Sequence, residues 1–147
     1  MPAVDAYADS SFLVSLYRKD QHQRAVHRFM ATRSETIGFS PLNRIELRNA
    51  FRNLAARGEI SEQEQRVAFR QITDDLDSSL LLHIAVNWTE TFRRADHLSE
   101  EHATREGQRT IDLLHVAIAL EARATTFLSF DHCQRRLAAA AGLIVKP

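Results

Sequence analysis

The chain of 147 residues contains little of several residue types, and each scarcity excludes a class of protein. Its single cysteine, Cys133, excludes a disulfide framework and every cysteine-rich zinc site, and it fits a reducing compartment. Four glycines and three prolines exclude collagen-like and linker-like chains. The longest apolar run, residues 137–145, is far shorter than the roughly 20 residues that a membrane helix needs. The first residues lack the basic and apolar regions of a signal peptide, so we expect a cytoplasmic protein without a membrane partner.

The chain also lacks an excess of charge of either sign. Nineteen basic and nineteen acidic residues give a formal net charge of zero at pH 7. A basic footprint is typical of proteins that bind nucleic acid, and the whole chain does not show one. Any such role must therefore depend on local patches.

What the chain does contain is the composition of one ordinary globular domain. Hydrophobic residues make up 44% and charged residues 26%, and we find no repeat or linker, so we expect a single domain over residues 1–147. Short apolar segments predict strands at 4–8, 36–39, 80–86, 126–130 and 143–145. Helical spacing predicts helices at 22–32, 41–56, 62–77, 88–104, 111–122 and 132–141. Strands that alternate with helices predict an α/β fold with a central, mostly parallel sheet flanked by helices.

Acidic residues follow two of the predicted strands. Asp9 comes directly after the first strand, and Asp131 comes directly after the strand at 126–130. In parallel sheets, ligands bind outside the carboxyl ends of the strands, so both positions suit chemistry. Each also has an ordinary structural interpretation, because Asp9 could initiate a turn and Asp131 could cap the next helix.

Two further acids lie on predicted helices. Asp112 is in the first turn of a helix that is apolar on almost every side, so we expect it to be buried. The helix dipole stabilises such an acid by only about 0.3–1 kcal/mol, whereas burial of an unpaired carboxylate costs several kcal/mol. Asp112 therefore needs a cation or hydrogen-bond donors. Glu46 lies beside the apolar stripe of its helix, where it could equally be a boundary residue whose carboxylate reaches water.

Together, the four acids could converge on one pocket. An all-oxygen cluster without cysteine suits a hard divalent ion such as Mg²⁺ or Mn²⁺. Such an ion lowers the pKa of an attacking water and stabilises negative charge on a phosphodiester, which makes hydrolysis of that bond the chemistry most typical of this pattern.

Four segments carry a resemblance to a known family. They are 7–14 (YADSSFLV), 40–46 (SPLNRIE), 110–117 (TIDLLHVA) and 126–131 (TFLSFD). The first resembles the strand, Asp-Ser/Thr-Ser and helix that open PIN-domain nucleases, and the third is similar to their Asp-x-x-His helix. The order, spacing and chain length are similar to those of VapC toxins from bacterial VapBC toxin–antitoxin modules.

The resemblance implies a fold and an acidic site. The implied fold is a PIN-like three-layer α/β/α sandwich with four to five short strands. Asp9, Glu46 and Asp112 would form the core metal set, with Glu46 acting directly or through water. Asp131 would be an outer acid or a ligand of a second ion. Ser10 and Ser129 match hydroxyl positions that orient site groups or a water, although Ser129 stands where threonine is commoner.

The resemblance also implies an activity and partners. It implies a Mg²⁺-dependent endoribonuclease, with Mn²⁺ as a substitute, that cleaves RNA, inhibits translation and is held inactive by a cognate VapB-type antitoxin. A homodimer is expected on the same ground. Two alternatives stay open: a nuclease outside toxin–antitoxin systems, such as an RNA-processing factor, and a catalytically silent binding component of an antitoxin-regulated complex.

Several other side chains have two interpretations. Arg44 and Arg48, on the helix that carries Glu46, could form a solvated face or contact RNA or antitoxin. Arg135 and Arg136 follow Asp131 and could hold an RNA backbone near the acids. His115, three residues after Asp112, could support the fold as a buried histidine or form a hydrogen bond near the site. Neither a glycine-rich phosphate loop nor a Gly-x-Ser-x-Gly motif is present, so nucleotide-hydrolase and esterase interpretations have no support.

Overall fold

A computed structural model describes residues 4–32, 35–102 and 107–147. The strands are β1 (Ala6–Ala8), β2 (Ile37–Phe39), β3 (Leu81–His83), β4 (Thr126–Leu128) and β5 (Ile144–Lys146). The helices are α1 (Ser10–Tyr17), α2 (Gln23–Ala31), α3 (Pro41–Ala56), α4 (Glu62–Asp77), α5 (Trp88–His102), α6 (Thr110–Glu121) and α7 (His132–Ala140). None of the described helices is both long enough and apolar enough to cross a bilayer.

The five strands form one sheet in the order β3-β2-β1-β4-β5, and all four ladders between them are parallel. The first strand of the chain is therefore the central strand. In its register, Tyr7 lies beside Gly38 of β2 on one side and Phe127 of β4 on the other. The carboxyl ends of β1 and β4 consequently emerge next to each other, and Asp9 N donates to the carbonyl of Leu128 at 3.0 Å.

Helices cover both faces of the sheet, which makes three layers. Side chains alternate between the faces along each strand. On β1, Tyr7 packs with the apolar residues of α5, α6 and α7, whereas Ala6 and Ala8 pack with those of α1, α3 and α4. On β4, Phe127 packs on the same face as Tyr7, and Leu128 packs on the same face as Ala6 and Ala8. The predicted α/β/α sandwich is confirmed, and its sheet is parallel throughout rather than mostly parallel.

Local sequence signals set the helix boundaries. Ser40 and Asn43 form a reciprocal capping box before α3, with Pro41 as its first residue, and Ser61 and Glu64 form another before α4. Gly58, just past α3, has a φ of +73°, a left-handed conformation that glycine adopts without strain. These boundaries agree with the sequence prediction.

The strands and the first helix differ from the periodicity-based prediction. Each strand has three residues, so the predicted strand at 80–86 is shortened to Leu81–His83. Its ladder ends where Phe39 pairs with His83, because β2 ends there. Helix α1 had no counterpart among the helices predicted from spacing, although the family resemblance implied one. The predicted end of α5 near Thr104 falls outside the described residues.

Candidate active site

All four predicted acids meet at the carboxyl edge of the sheet. They line a cleft of about 160 Å³. The side chains around it are Asp9, Ser10, Ser11, Glu46, Arg109, Ile111, Asp112, His115, Asp131 and Gln134. The cleft forms here because β1 and β4 end side by side, and α1, α6 and α7 each begin at the same edge.

Asp9 lies in the buried part of the cleft and is 3% exposed. One carboxylate oxygen caps α1 by accepting from the Phe12 amide and from the Ser11 hydroxyl, both at 2.8 Å. The other oxygen accepts from the Ser129 hydroxyl at 2.6 Å. Asp9 is therefore the N-cap of α1 rather than only a turn residue, and the same carboxylate lines the cleft.

Glu46 is held by two donors from other elements. Ser10 Oγ donates to its Oε1 at 2.8 Å, and His115 Nε2 contacts the same oxygen. His115 is 2% exposed, and its Nδ1 lies 2.8 Å from the hydroxyl of Tyr7, which in turn lies 2.9 Å from Ser40 Oγ. Nε2 of the ring donates to the Glu46 carboxylate, and Nδ1 shares a hydrogen bond with the Tyr7 hydroxyl. Ser40, Tyr7 and His115 thus form a buried chain of hydrogen bonds that ends on Glu46.

Removing the Tyr7 hydroxyl tests this chain. We expect Tyr7→Phe to lower the free energy of unfolding by about 1–3 kcal/mol, because His115 Nδ1 would be buried without its hydrogen-bond partner. Urea denaturation measures this loss of stability, provided that the dependence of the unfolding free energy on urea concentration is unchanged. If RNA cleavage by Tyr7→Phe is also measured, Tyr17→Phe is its control, because the Tyr17 hydroxyl bonds to Asp75 and does not line the cleft. An unchanged unfolding free energy in Tyr7→Phe would contradict the hydrogen-bond assignment.

Asp112 has the cationic partner that its burial requires. Arg109 donates through Nε to Oδ2 at 2.9 Å and through Nη2 to Oδ1 at 3.3 Å. The Asp112 side chain is 7% exposed, whereas that of Arg109 is 72% exposed, so Arg109 lies on the solvent side of Asp112. The hydrogen bond and the charge of Asp112 raise the pKa of Arg109 above its usual value.

Asp131 and Ser129 complete the cleft on the β4 side. Asp131 is half-buried and caps α7 by accepting from the Gln134 amide at 2.8 Å, as the sequence predicted. Ser129 is fully buried, and its hydroxyl accepts from the Asp131 amide while it donates to Asp9. Ser129 therefore ties the two strand-end acids together.

The pKa values of Asp9 and Glu46 are shifted in opposite directions. Burial raises the pKa of Asp9, and this outweighs the hydrogen bonds from Ser129, Phe12 and Ser11 and the charge of His115. Burial also acts to raise the pKa of Glu46, but the hydrogen bond and charge of His115, with help from Ser10 and Arg109, hold it below its ordinary value.

Linkage predicts opposite effects of neutralising these two acids. Because the pKa of Asp9 is raised on folding, ionised Asp9 destabilises the fold at neutral pH. That penalty disappears as pH falls through the raised value toward the unfolded-chain value of about 3.9. Glu46 has a lowered pKa, so its stabilising contribution is present at neutral pH and is lost as pH falls through the pKa of the folded state.

Without divalent metal at neutral pH, we expect Asp9→Asn to raise the melting temperature and Glu46→Gln to lower it. Asparagine still caps α1, so the helix start is kept.

Thermal melts of the two variants from neutral to acidic pH, in chelator, measure these shifts. The difference between each variant and the wild type is expected to shrink as pH falls. Shifts of the same sign at neutral pH would contradict the electrostatic assignment.

The arginines singled out from the sequence do not line the cleft. Arg44 is exposed on α3. Arg48 lies with its guanidinium 4.8 Å from the centre of the Phe69 ring, and burial and the charges of Arg44 and Arg52 lower its pKa. On α7, Arg135 Nη1 donates to the carbonyl of Ser129 at 2.6 Å, and Arg136 is exposed with Nη2 3.6 Å from Cys133 Sγ. Arg48 and Arg135 thus have structural partners, while Arg109 is the arginine that contacts the acids.

The donors in the cleft suit a hard cation by their chemistry. They are carboxylate oxygens from four different elements, the ligand type that Mg²⁺ and Mn²⁺ prefer. In the part of the chain that the structure describes, no three Asp, Glu, His or Cys side chains are grouped closely enough to hold an ion in the present arrangement. Arg109 occupies both oxygens of Asp112, and Ser10 and His115 engage Glu46. A cation in the cleft would take the place of the Arg109 guanidinium at Asp112.

Comparison with known proteins identifies the family. The family model described as PIN domain matches residues 6–140, which include all four acids. The chain belongs to the PIN-domain family. A search of curated proteins finds no significant match.

Solved structures share this PIN fold at low sequence identity. VapBC2 from Rickettsia felis, bound to a DNA fragment from its promoter, matches at 18% identity with a TM-score of 0.65, covering 96% of each chain. VapC20 from Mycobacterium tuberculosis, a sarcin–ricin loop cleaving toxin, matches at 17% identity with a TM-score of 0.65, covering 97% of this chain and 100% of that one. FitAcB from Neisseria gonorrhoeae matches at 15% identity with a TM-score of 0.63, covering 97% and 96%.

Sequence reasoning missed several residues that shape this PIN site, among them Ser11, Arg109 and Tyr7. Arg109 precedes Asp112 by three residues, a spacing that allows side-chain pairing on a helix and could have indicated the contact. Tyr7 lies in a buried strand, where its hydroxyl needs a partner, but no local signal shows that the partner is His115. His115 itself meets both of its interpretations, since it is buried in the fold and bonded to an acid of the site.

Proposed function

We propose that this PIN-domain protein, a single domain over residues 1–147, is the toxin of a type II toxin–antitoxin module. In this proposal it is a metal-dependent endoribonuclease that cleaves RNA and thereby inhibits translation. The observation that carries the proposal is the convergence of Asp9, Glu46, Asp112 and Asp131 on one cleft of a PIN domain.

Mg²⁺ is the proposed cofactor, and Mn²⁺ is expected to substitute for it. Asp9 and Asp112 would hold the ion, with Glu46 and Asp131 acting directly or through water. When bound, such an ion supplies Lewis acidity toward a phosphodiester and lowers the pKa of a water. The all-oxygen donor set supports this assignment.

The chain's own residues position the acids in advance of substrate. Ser11 and Ser129 fix the two oxygens of Asp9, and Ser10 and His115 fix Glu46. Fixed carboxylates lower the entropy cost of reaching a reactive geometry. Because Arg109 is largely exposed, its guanidinium would be available to a phosphate at the cleft, where it would offset the repulsion between RNA and the acids.

The proposed partners are a VapB-type antitoxin, an RNA substrate and a second copy of the chain, in the cytoplasm. VapBC2 and FitAcB share the fold, and this supports an antitoxin partner. VapC20, described as a toxin that cleaves the sarcin–ricin loop, supports RNA as the substrate class.

The decisive test incubates the purified, antitoxin-free protein with total bacterial RNA, with Mg²⁺ or Mn²⁺ and with chelator. We expect discrete fragments only with metal, and sequencing of their ends identifies the cleaved site. Single-stranded DNA is the parallel substrate. Cleavage of DNA but not RNA, or no metal-dependent cleavage by folded protein, would contradict an endoribonuclease.

A further inference from the structure

A second, larger groove opens directly beside the acidic cleft. It has a volume of about 520 Å³ and shares Ser10, Ser11, Glu46 and Asp131 with the cleft. Its other lining residues are Val14, Ser15, Asp20, His22, Ala50 and Phe130. The four shared residues make the groove a direct neighbour of the cleft.

The groove presents a stack of flat rings. The His22 ring lies 4.2 Å from the Phe130 ring, with 9° between their planes. Phe130 is in turn stacked on buried Phe12, at 5.7 Å and 15°. Phe130 covers one face of the half-buried His22 ring, which lies at the end of this stack of three rings.

Hydrogen bonds hold His22 in place. The two oxygens of Asp20 accept from the His22 amide at 2.9 Å and from the Ser15 hydroxyl at 2.8 Å. The turn that carries His22 is thereby fixed to α1. A ring held in advance loses little conformational entropy when it stacks on a ligand.

The charges in the groove indicate which part of a nucleotide it suits. Asp20, Glu46 and Asp131 line it, and neither arginine nor lysine is among the described residues that do so. A phosphate would be repelled by these carboxylates, whereas a nucleobase is uncharged and has a flat face and polar edges. The volume is within the range of small-ligand pockets, about 300–1,000 Å³.

We propose that this groove is a base-binding subsite, in which one base of single-stranded RNA stacks on His22 beside the phosphate in the acidic cleft. The subsite rests on the proposed function, because it takes RNA as the ligand. It adds a contact that selects unpaired RNA, since a base within a duplex has no free face to stack.

Binding to RNA in the absence of cleavage tests the subsite. In wild-type protein with chelator, where the proposed function predicts no cleavage, fluorescence anisotropy gives the affinity for short, labelled single-stranded RNAs, each intact or with one abasic position. We expect one abasic position, and separately His22→Ala, to weaken binding by about 5–100-fold, the range of base–aromatic stacking. Combined, the two changes are expected to cost no more than either alone, because they remove the same contact.

Two variants provide the matched controls. His22→Phe keeps a flat ring and is expected to bind within about threefold of the parent, as stacking does not depend on the imidazole. His27→Ala removes an exposed histidine of α2 that does not line the groove, and it is expected to leave affinity unchanged. Circular dichroism and thermal melts verify that each variant folds.

The outcomes separate this proposal from the proposed function. Binding by His22→Ala equal to that of His27→Ala, additive losses in the combined experiment, or no measurable RNA binding would overturn the subsite. Loss of antitoxin binding in His22→Ala with unchanged RNA binding would also overturn it and assign the groove to protein docking. His22-dependent binding by a protein that cleaves no RNA would retain the subsite and refute the nuclease. RNA cleavage by a protein whose RNA binding does not depend on His22 would refute the subsite and retain the nuclease.

Discussion

Asp112→Asn is expected to reduce metal-dependent RNA cleavage by about a thousandfold or more while the protein stays folded. Loss of a metal-binding carboxylate removes several kcal/mol of transition-state stabilisation, and each 1.36 kcal/mol corresponds to about tenfold in rate. The side chain keeps its size, and its oxygen still accepts from Arg109. Because Arg109 is largely exposed, the lost ion pair should change the free energy of unfolding by no more than about 1 kcal/mol.

Single-turnover cleavage of one mapped RNA site measures this effect. Asp96→Asn is the matched control, since Asp96 is exposed on α5 and does not line the cleft. Wild-type activity in folded Asp112→Asn, prepared free of contaminating nuclease, would refute the assignment of the acidic cleft as the catalytic site.

Millimolar Mg²⁺ or Mn²⁺ is expected to raise the melting temperature of the wild-type protein. An ion that binds only the folded state, at about a hundred times its Kd, stabilises it by about 2.7 kcal/mol, which for a domain of this size is about 5–10 °C. The ion would relieve the penalty of the buried Asp9 charge and replace Arg109 as the partner of Asp112.

Asp9→Asn and Asp112→Asn should each lose most of this increase, whereas Asp96→Asn should retain it. Potassium chloride at equal ionic strength controls for screening. An equal increase in all four proteins would mean that the ion binds elsewhere, and the absence of any increase in the wild type would count against a metal site.

Local sequence signals predicted all helices of this fold except α1, because helix boundaries are set by neighbours in the chain. Ser40, Pro41, Ser61 and Gly58 each act within a few residues, and the structure begins or ends helices where they predict. Strand length depends on the partner strand instead. The apolar run at 80–86 continues past His83, but its ladder stops because β2 stops at Phe39.

The positions of the acids could be predicted, but most of their contacts could not. Asp9 and Asp131 were identified by their place after strands, and Asp112 by the conflict between its charge and its apolar helix. The contact of Tyr7 with His115 joins residues 108 apart in the chain, and that of His115 with Glu46 joins residues 69 apart. Such contacts follow from the strand order, which single-residue propensities do not contain.

The central place of β1 has a consequence for biosynthesis. This strand is synthesised before the other four strands of the sheet, and Asp9 precedes Ser129, the donor to its carboxylate, by 120 residues. At translation rates of about 5–20 residues per second, the β4 edge of β1 stays unpaired for several seconds. A chain that has not yet reached β4 therefore lacks both the full sheet and the assembled acidic cleft.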